Sequence, residues 1–129
     1  MKILIMMFVV AIILLVVTSS FGQNLGAFEN IDVAQFKSKM TESDVVIVDV
    51  RTPNETAQGK IVGTIEINFY DPKFASKVSE LDKSKTYLVY CRSGNRSAKA
   101  CNIMSKNGFE NLYNLKGGFN AWQTQQSLK

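Results

Sequence analysis

The chain has 129 residues, of which 46% are hydrophobic and 20% are charged. This length suits one compact domain, and the composition excludes both an intrinsically disordered chain and a fibrous repeat. The formal net charge of +4 is small and its basic residues are spread along the chain, so the sequence does not predict nucleic-acid binding.

The N-terminal segment has the pattern of an export signal. Lys2 precedes an unbroken apolar run of 15 residues, Ile3–Val17, and small residues follow, with Ser20 and Gly22 at the −3 and −1 positions of a cleavage site. We predict that residues 1–22 are a signal peptide that is removed. The mature protein would then be periplasmic or secreted, without stable membrane association. An uncleaved membrane anchor is the alternative, although a span needs about 20 apolar residues.

The remaining residues, 23–129, alternate between helix and strand patterns. In chain order, the predicted elements are a helix at 31–40 capped by Asp32, a strand at 45–48, a brief helix that ends near Gly59, a strand at 61–67, a helix at 69–81, a strand at 86–90, a helix at 97–106, a strand at 112–115 and a last helix that holds Phe119 and Trp122. This alternation predicts an α/β fold with a mainly parallel central sheet of four to five strands flanked by helices.

The chain has two cysteines, Cys91 and Cys101, and no histidine. Without histidine, Ser-His-Asp and Cys-His catalysis are excluded, and we predict neither a metal site nor a cofactor. Export would favour a disulfide, but Cys101 lies ten residues after Cys91, inside the following helix, where the axial rise is about 8–13 Å. A disulfide needs Cα atoms within about 7 Å, so we predict a small core residue at Cys101. A resolving role for Cys101 in oxidation is the alternative.

Cys91 opens a loop between the strand at 86–90 and the helix at 97–106. In open α/β sheets, functional sites form at the carboxyl ends of strands. A short loop with Gly94 at its centre can turn its backbone N–H groups inward, and this anion-binding nest can also stabilise a thiolate. We therefore predict that Cys91 is a nucleophile activated without histidine, with help from Arg92 and Arg96. A buried structural cysteine is the alternative.

The segment Cys91-Arg92-Ser93-Gly94-Asn95-Arg96-Ser97 resembles the active-site loop of the rhodanese family, the thiosulfate and related sulfurtransferases. Three further blocks resemble family motifs and come in the family's order: residues 46–51 followed by Glu55, residues 59–67, and residues 115–122. The blocks span most of residues 31–123. The resemblance implies that residues 23–129 form a single rhodanese-like domain with a three-layer α/β fold.

The resemblance also implies a ping-pong sulfur transfer. Cys91 takes the outer sulfur of thiosulfate or a related anionic donor, becomes a persulfide, and passes the sulfur to cyanide or another thiophilic acceptor. In this scheme Arg92 meets the donor, and Arg96 braces the loop by bonding to its carbonyls. Backbone N–H groups that bind the substrate would come from Ser93, Gly94, Asn95, Arg96 and Ser97.

Asp49 and Arg51 follow the strand at 45–48 and would lie near the Cys91 loop. A direct catalytic role is conceivable for both, but we expect the two charges to pair and to fix the loops around the site. They are therefore predicted as structural support.

Two other functions fit the pattern. A sulfur-carrier or non-catalytic rhodanese module would act on a protein partner, and a carrier that hands sulfur to a protein acceptor would look identical in sequence. Phosphatase or arsenate reductase chemistry uses a similar loop, with five residues between its cysteine and arginine. Here four residues separate Cys91 from Arg96, and we expect this tighter ring to suit a sulfane sulfur better than a tetrahedral phosphate.

Overall fold

A computed structural model describes residues 28–128 of the chain, so the predicted export signal at residues 1–22 lies outside the described residues. The strands are β1 (Glu29–Ile31), β2 (Val45–Asp49), β3 (Thr64–Glu66), β4 (Thr86–Tyr90) and β5 (Asn111–Leu115). The helices are α1 (Val33–Met40), α2 (Pro53–Ala57), α3 (Phe74–Ser79), α4 (Asn95–Lys106) and α5 (Gly118–Ser127). Across the described part of the chain, no helix is both long and apolar enough to cross a membrane.

The five strands form one sheet in the order β1-β5-β4-β2-β3, and every pairing in it is parallel. This confirms the predicted α/β fold class. β2 and β4 lie in the interior of the sheet, where apolar, largely β-branched runs such as Val45–Asp49 can be buried on both faces. Because Asp49 pairs with Tyr90 and Val89 pairs with Asn114, the strands end level with one another. The segments after β2, β4 and β5 therefore meet at one edge of the sheet.

Two apolar clusters cover the two faces of the sheet. The larger lies beneath α3 and α4 and includes Phe74, Val89 and Met104. The smaller lies beneath α1 and α5 and is built around Phe36 and Leu88. Large core side chains of this kind each contribute about 1.5–3 kcal/mol through the removal of apolar surface from water. These layers hold the strand ends at fixed positions.

Cys101 lies in the larger cluster with no exposed surface, and both cysteines are free thiols. The prediction of a core position for Cys101 is therefore confirmed.

Two predicted elements differ from the structure by three residues or more at one end, and one strand, β1, was not predicted. The predicted cap at Asp32 is confirmed, and α1 begins at Val33. Ile31 lies before this cap and belongs to β1, because it pairs with Leu115. The predicted strand at 61–67 is reduced to Thr64–Glu66, since a turn with a left-handed Gly63 (φ +83°) precedes it. Three-residue strands are too short to show a convincing alternation of polar and apolar residues.

The predicted helix at 69–81 extends only over Phe74–Ser79. The Asn68 side chain accepts a hydrogen bond from the Tyr70 N–H, and the Asp71 side chain accepts one from the Lys73 N–H. Such local bonds compete with the helix, and Pro72 disfavours helical backbone at the residue before it. The apolar spacing of this segment correctly predicts a helix, but the helix begins at Phe74 rather than at residue 69.

Candidate active site

Cys91 directly follows β4, and only 1% of its surface is exposed. Its Sγ accepts a hydrogen bond from the backbone N–H of Gly94 at 3.1 Å and another from the Ser97 hydroxyl at 3.3 Å. Ser97 is itself fully buried in the first turn of α4. The sulfur therefore lies against the N-terminus of a helix, surrounded by hydrogen-bond donors.

The loop takes this shape because Gly94 has a left-handed backbone (φ +101°) at the N-cap of α4. L-residues rarely adopt this conformation. A Cβ atom at this position would also lie 3.2 Å from the Leu115 carbonyl oxygen and 3.4 Å from the Gly117 nitrogen. Glycine thus allows the chain to turn from β4 into α4 while the loop rests against the end of β5.

Two opposing effects act on the pKa of the Cys91 thiol. Burial raises the pKa, because it disfavours the charged thiolate. Hydrogen bonds from the Ser97 side chain and from the backbone N–H groups of Ser97, Ser93 and Gly94 lower it. The net result is a pKa below the ordinary cysteine value, which increases the thiolate fraction at neutral pH.

The first turn of α5 clamps the Cys91 loop from the other side. The N–H of Phe119 donates to the Cys91 carbonyl at 2.8 Å, and the N–H of Asn120 donates to the Arg92 carbonyl at 3.1 Å. A Cβ atom at Gly118 (φ +56°) would lie 2.5 Å from the Cys91 carbonyl oxygen and 2.7 Å from that of Arg92. Only glycine allows so close an approach, so Gly118 is part of the support for the loop.

Arg96 anchors the loop to α2 through a two-pronged ion pair with Glu55, at 2.7 and 2.9 Å. Glu55 also accepts a hydrogen bond from the Thr52 hydroxyl within the capping box of α2. The hydrogen bond from Arg96 is the main reason that the pKa of Glu55 falls to about 2. This pair is the bidentate arrangement that gives arginine–carboxylate contacts their strength and orientation.

Asp49 and Arg51 form the buried pair that the sequence predicted, with 2.7 Å between the Arg51 Nη2 and the Asp49 Oδ2. The same guanidinium donates to the Gly59 carbonyl at 2.8 Å and lies 4.2 Å from the centre of the Phe119 ring. The pair therefore ties the end of β2 to the end of α2 and to α5. Their described contacts are those of structural support.

An open cleft of about 360 Å³ lies beside the loop. It is lined by Arg51, Glu55, Gln58, Arg92, Phe119, Asn120 and Gln123. Arg92 is exposed, so its guanidinium can meet an incoming anion, whereas Arg51 and Glu55 are engaged in ion pairs. No group of three or more potential ligand side chains within residues 28–128 is placed to hold a metal ion.

A protein-family model, that of the rhodanese-like domain, matches residues 32–125 of this chain. The chain belongs to the rhodanese-like family. It is 36% identical over 93 residues to a sulfurtransferase of Allochromatium vinosum, covering 71% of this chain and 85% of the relative. It is 32% identical over 103 residues to the thiosulfate sulfurtransferase GlpE of Pseudoalteromonas translucida, covering 80% and 96%.

Among solved structures, a rhodanese-like domain protein from Staphylococcus aureus superimposes with a TM-score of 0.65 and 34% identity, over 74% of this chain and 91% of that one. The predicted family is thereby confirmed. Together with the named relatives, this similarity supports rhodanese-type sulfur transfer.

The rhodanese-like fold brings together most of the residues that the sequence predicted. Backbone N–H groups of Ser93, Gly94 and Ser97 stabilise the Cys91 thiolate, whereas those of Asn95 and Arg96 are not among its principal donors. The prediction that Arg96 bonds to loop carbonyls was wrong, because its guanidinium is paired with Glu55. The loop carbonyls are held instead by the N–H groups of α5.

Sequence reasoning missed three contributors to the site. The Ser97 hydroxyl donates a hydrogen bond to the Cys91 sulfur, and the Glu55 carboxylate accepts hydrogen bonds from Arg96. The Asn114 side chain donates to the Gly94 carbonyl. In the sequence, Glu55 stands out only as part of a family motif, and Asn114 only as part of a strand. The Gly117-Gly118 pair was the one available signal for the close approach of α5.

Proposed function

We propose that this protein is an exported sulfurtransferase that moves a sulfane sulfur from thiosulfate or a related donor to a thiophilic acceptor through a persulfide on Cys91. The observation that carries the proposal is the set of hydrogen bonds on the Cys91 sulfur, from the Gly94 N–H and the Ser97 hydroxyl. These donors favour a thiolate where no histidine is available to remove the proton.

The reaction has two balanced steps. The Cys91 thiolate attacks the outer sulfur of thiosulfate, a sulfur–sulfur bond forms on Cys91, and the bond to the sulfonate sulfur breaks as sulfite leaves with the electron pair. Cyanide then attacks the outer sulfur of the persulfide, thiocyanate leaves, and the Cys91 thiolate is restored. Both the thiolate and the persulfide are anions, so the inward N–H groups stabilise the negative charge on sulfur in both forms of Cys91.

The cleft beside the loop supports an anionic donor. Arg92 is exposed at its edge, and its backbone is held by the Asn120 N–H, which keeps the loop in place during binding. We propose that Arg92 attracts the donor, while the polar side chains of Gln58 and Gln123 allow small, hydrated substrates to enter. A persulfide donor could use the same cleft.

Phosphatase chemistry is less compatible with the site. An arginine that binds a phosphate must present its guanidinium to the substrate, but that of Arg96 is paired with Glu55. Four residues separate Cys91 from Arg96, which makes a narrow ring of N–H groups around the sulfur. Neither observation favours a tetrahedral phosphate, so we propose sulfur transfer as the function.

The deciding experiment is an intact-mass measurement on protein purified from cells that express the full chain. After incubation with thiosulfate, we expect a mass gain of one sulfur atom, and no gain in the Cys91→Ser variant. Addition of cyanide should remove the sulfur and release thiocyanate. Hydrolysis of a small phosphoester without any mass gain would overturn the proposal in favour of a phosphatase.

Two further outcomes separate the enzyme from a carrier module. A persulfide that forms but is not discharged to cyanide or to a small thiol would indicate that a protein is the acceptor. Capture of partners with the persulfidated form, against the Cys91→Ser variant, would then identify that acceptor. Absence of both the mass gain and the turnover would exclude sulfur transfer from thiosulfate.

The same mass spectrum tests export. Removal of residues 1–22 would leave a chain that begins at Gln23, and fractionation would place it outside the cytoplasm. A full-length chain in the membrane fraction would indicate the uncleaved anchor instead. A full-length chain in the cytoplasm would exclude export altogether.

A further inference from the structure

Asn114 connects the Cys91 loop to the edge of the sheet. It lies in β5 and only 3% of its surface is exposed. Its side-chain Nδ2 donates to the Gly94 carbonyl at 3.2 Å and to the Asn30 Oδ1 in β1 at 2.9 Å. Asn114 thus connects β5 to β1 and to the loop, through Asn30 and Gly94, which lie 84 and 20 residues away along the chain.

The orientation of this amide is determined by its partner. A backbone carbonyl can only accept a hydrogen bond, so the NH₂ group of Asn114 must face Gly94. This orientation leaves the Asn114 Oδ1 buried without a hydrogen-bond partner among the described residues. Buried polar atoms are almost always paired, and an unpaired one is unfavourable for stability. An apolar side chain at this position would avoid that penalty, which points to a role for the amide beyond stability.

Gly94 is the residue on which this amide acts. Its N–H donates to the Cys91 Sγ, and its carbonyl accepts from the Asn114 side chain at 3.2 Å and from the Ala98 N–H of α4 at 3.3 Å, so a side chain from outside the loop helps to hold this residue. Glycine has the widest choice of backbone conformations, and nothing in its own structure would keep its N–H directed at the sulfur. We propose that Asn114 is a positioning residue that holds Gly94 in the orientation in which its N–H stabilises the Cys91 thiolate.

The inference rests on the proposed role of Cys91 as the nucleophile, but its test does not require sulfur transfer. The rate of alkylation by iodoacetamide as a function of pH reports the thiolate fraction of Cys91 directly. Cys101 does not interfere, because it is fully buried and its pKa is raised to about 12. The charge of Arg96, which acts on Cys91 from α4, is unchanged across the working range.

The informative variants are Asn114→Ala, which removes the amide, and Asn114→Asp, which replaces the donor with an acceptor of the same shape. In Asn114→Ala the Gly94 carbonyl keeps its bond from the Ala98 N–H, so no buried carbonyl is left unpaired. We expect the alkylation midpoint to rise by about one pH unit, with a rate about tenfold lower at neutral pH and recovery at high pH. Asn114→Asp should shift it further, through its added negative charge.

Asn111→Ala is the matched control, because Asn111 is an exposed residue of the same type at the other end of β5. It should leave the midpoint unchanged. If the Asn114 variants unfold at lower temperature but keep the wild-type midpoint, Asn114 is only structural and the proposal is overturned.

Should neither Asn114 variant fold, Asn30→Ala decides. This substitution removes the second acceptor of the Asn114 amide, and it does so at an exposed position where it disturbs no core packing. A rate about threefold lower at neutral pH would support the proposal, and an unchanged rate would overturn it. A shifted midpoint in a protein that takes no sulfur from thiosulfate would uphold the positioning role and refute only the proposed function.

Discussion

The two cysteines of this chain lie just before and within the same helix, α4, yet their surroundings differ. Cys91 precedes α4 and Cys101 lies within it, and their exposed fractions are 1% and 0%. Burial raises the pKa of Cys101 to about 12, and the nearby charge of Cys91 adds to this effect. Burial also acts on Cys91, but its hydrogen bonds reverse the outcome and its pKa is lowered.

Burial alone therefore does not decide whether a cysteine is reactive in this protein. The deciding factor is the position along the helix. Before the first turn, N–H groups have no partner within the helix and can stabilise a thiolate. Ten residues later every N–H is used by the helix, and the neighbours of Cys101 are apolar. One thiol becomes a candidate nucleophile and the other a core residue.

Substitution of each cysteine should give the largest contrast. We expect Cys91→Ser to abolish persulfide formation, because a serine cannot take up a sulfur atom. Cys101→Ala should keep the transfer rate within about twofold and lower the free energy of unfolding by about 1–2 kcal/mol, through the small cavity that it leaves. Thiocyanate release and chemical denaturation measure the two effects. Loss of activity in a folded Cys101→Ala variant would restore the resolving role as a candidate.

The support of the Cys91 loop can be broken at Gly118. An added Cβ would collide with the Cys91 and Arg92 carbonyls, so Gly118→Ala must displace the loop or α5. We expect the transfer rate to fall about 100-fold, as for a displacement near 1 Å of reacting groups. Gly63→Ala is the control, because Gly63 also has a positive φ but has no atom within 4 Å of the added carbon. It should cost about 1–2 kcal/mol of stability and leave the rate unchanged.

A smaller effect is expected at Ser97, whose hydroxyl bonds to the Cys91 sulfur. Ser97→Ala removes this donor, raises the pKa of Cys91 and lowers the transfer rate at neutral pH about tenfold. The rate should recover at higher pH, where the thiolate forms without help. Ser105→Ala, on the same helix, is the control, and its pH profile should match that of the wild type. A uniform loss at all pH values in Ser97→Ala would instead indicate a misplaced loop.

The smallest expected effect concerns stability at acid pH. The pKa of Glu55 is lowered to about 2 from its ordinary value of 4.5, chiefly by the hydrogen bond from Arg96. Its contribution is therefore present above pH 4.5 and lost as the pH falls toward 2. We expect the free energy of unfolding to decrease over this window by about 1–3 kcal/mol more in the wild type than in Glu55→Gln. Equal pH dependence in both proteins would show that the pair contributes nothing to stability.

Much of the fold was predictable because its signals are local. Apolar runs such as those of β2 and β4 identify buried parallel strands, and their alternation with helices identifies the α/β class. The errors were at β1, β3 and α3, where elements are short or where Asn and Asp side chains compete for the backbone. There the local pattern carries too little information to place the bounds.

The sequence by itself determined the candidate nucleophile. The signals for it are local, because the strand-to-helix turn, its glycine and its arginines all lie in one short segment. The chain also has no histidine that could serve as a rival catalytic group. No tertiary information was therefore needed to single out Cys91. Only the tertiary structure decided what holds this segment in place. Arg96 meets Glu55, 41 residues away, and Gly94 meets Asn114, 20 residues away. Such partners are selected by the packing of the sheet and its helices, which brings distant strand ends to one edge, and no local pattern records that choice.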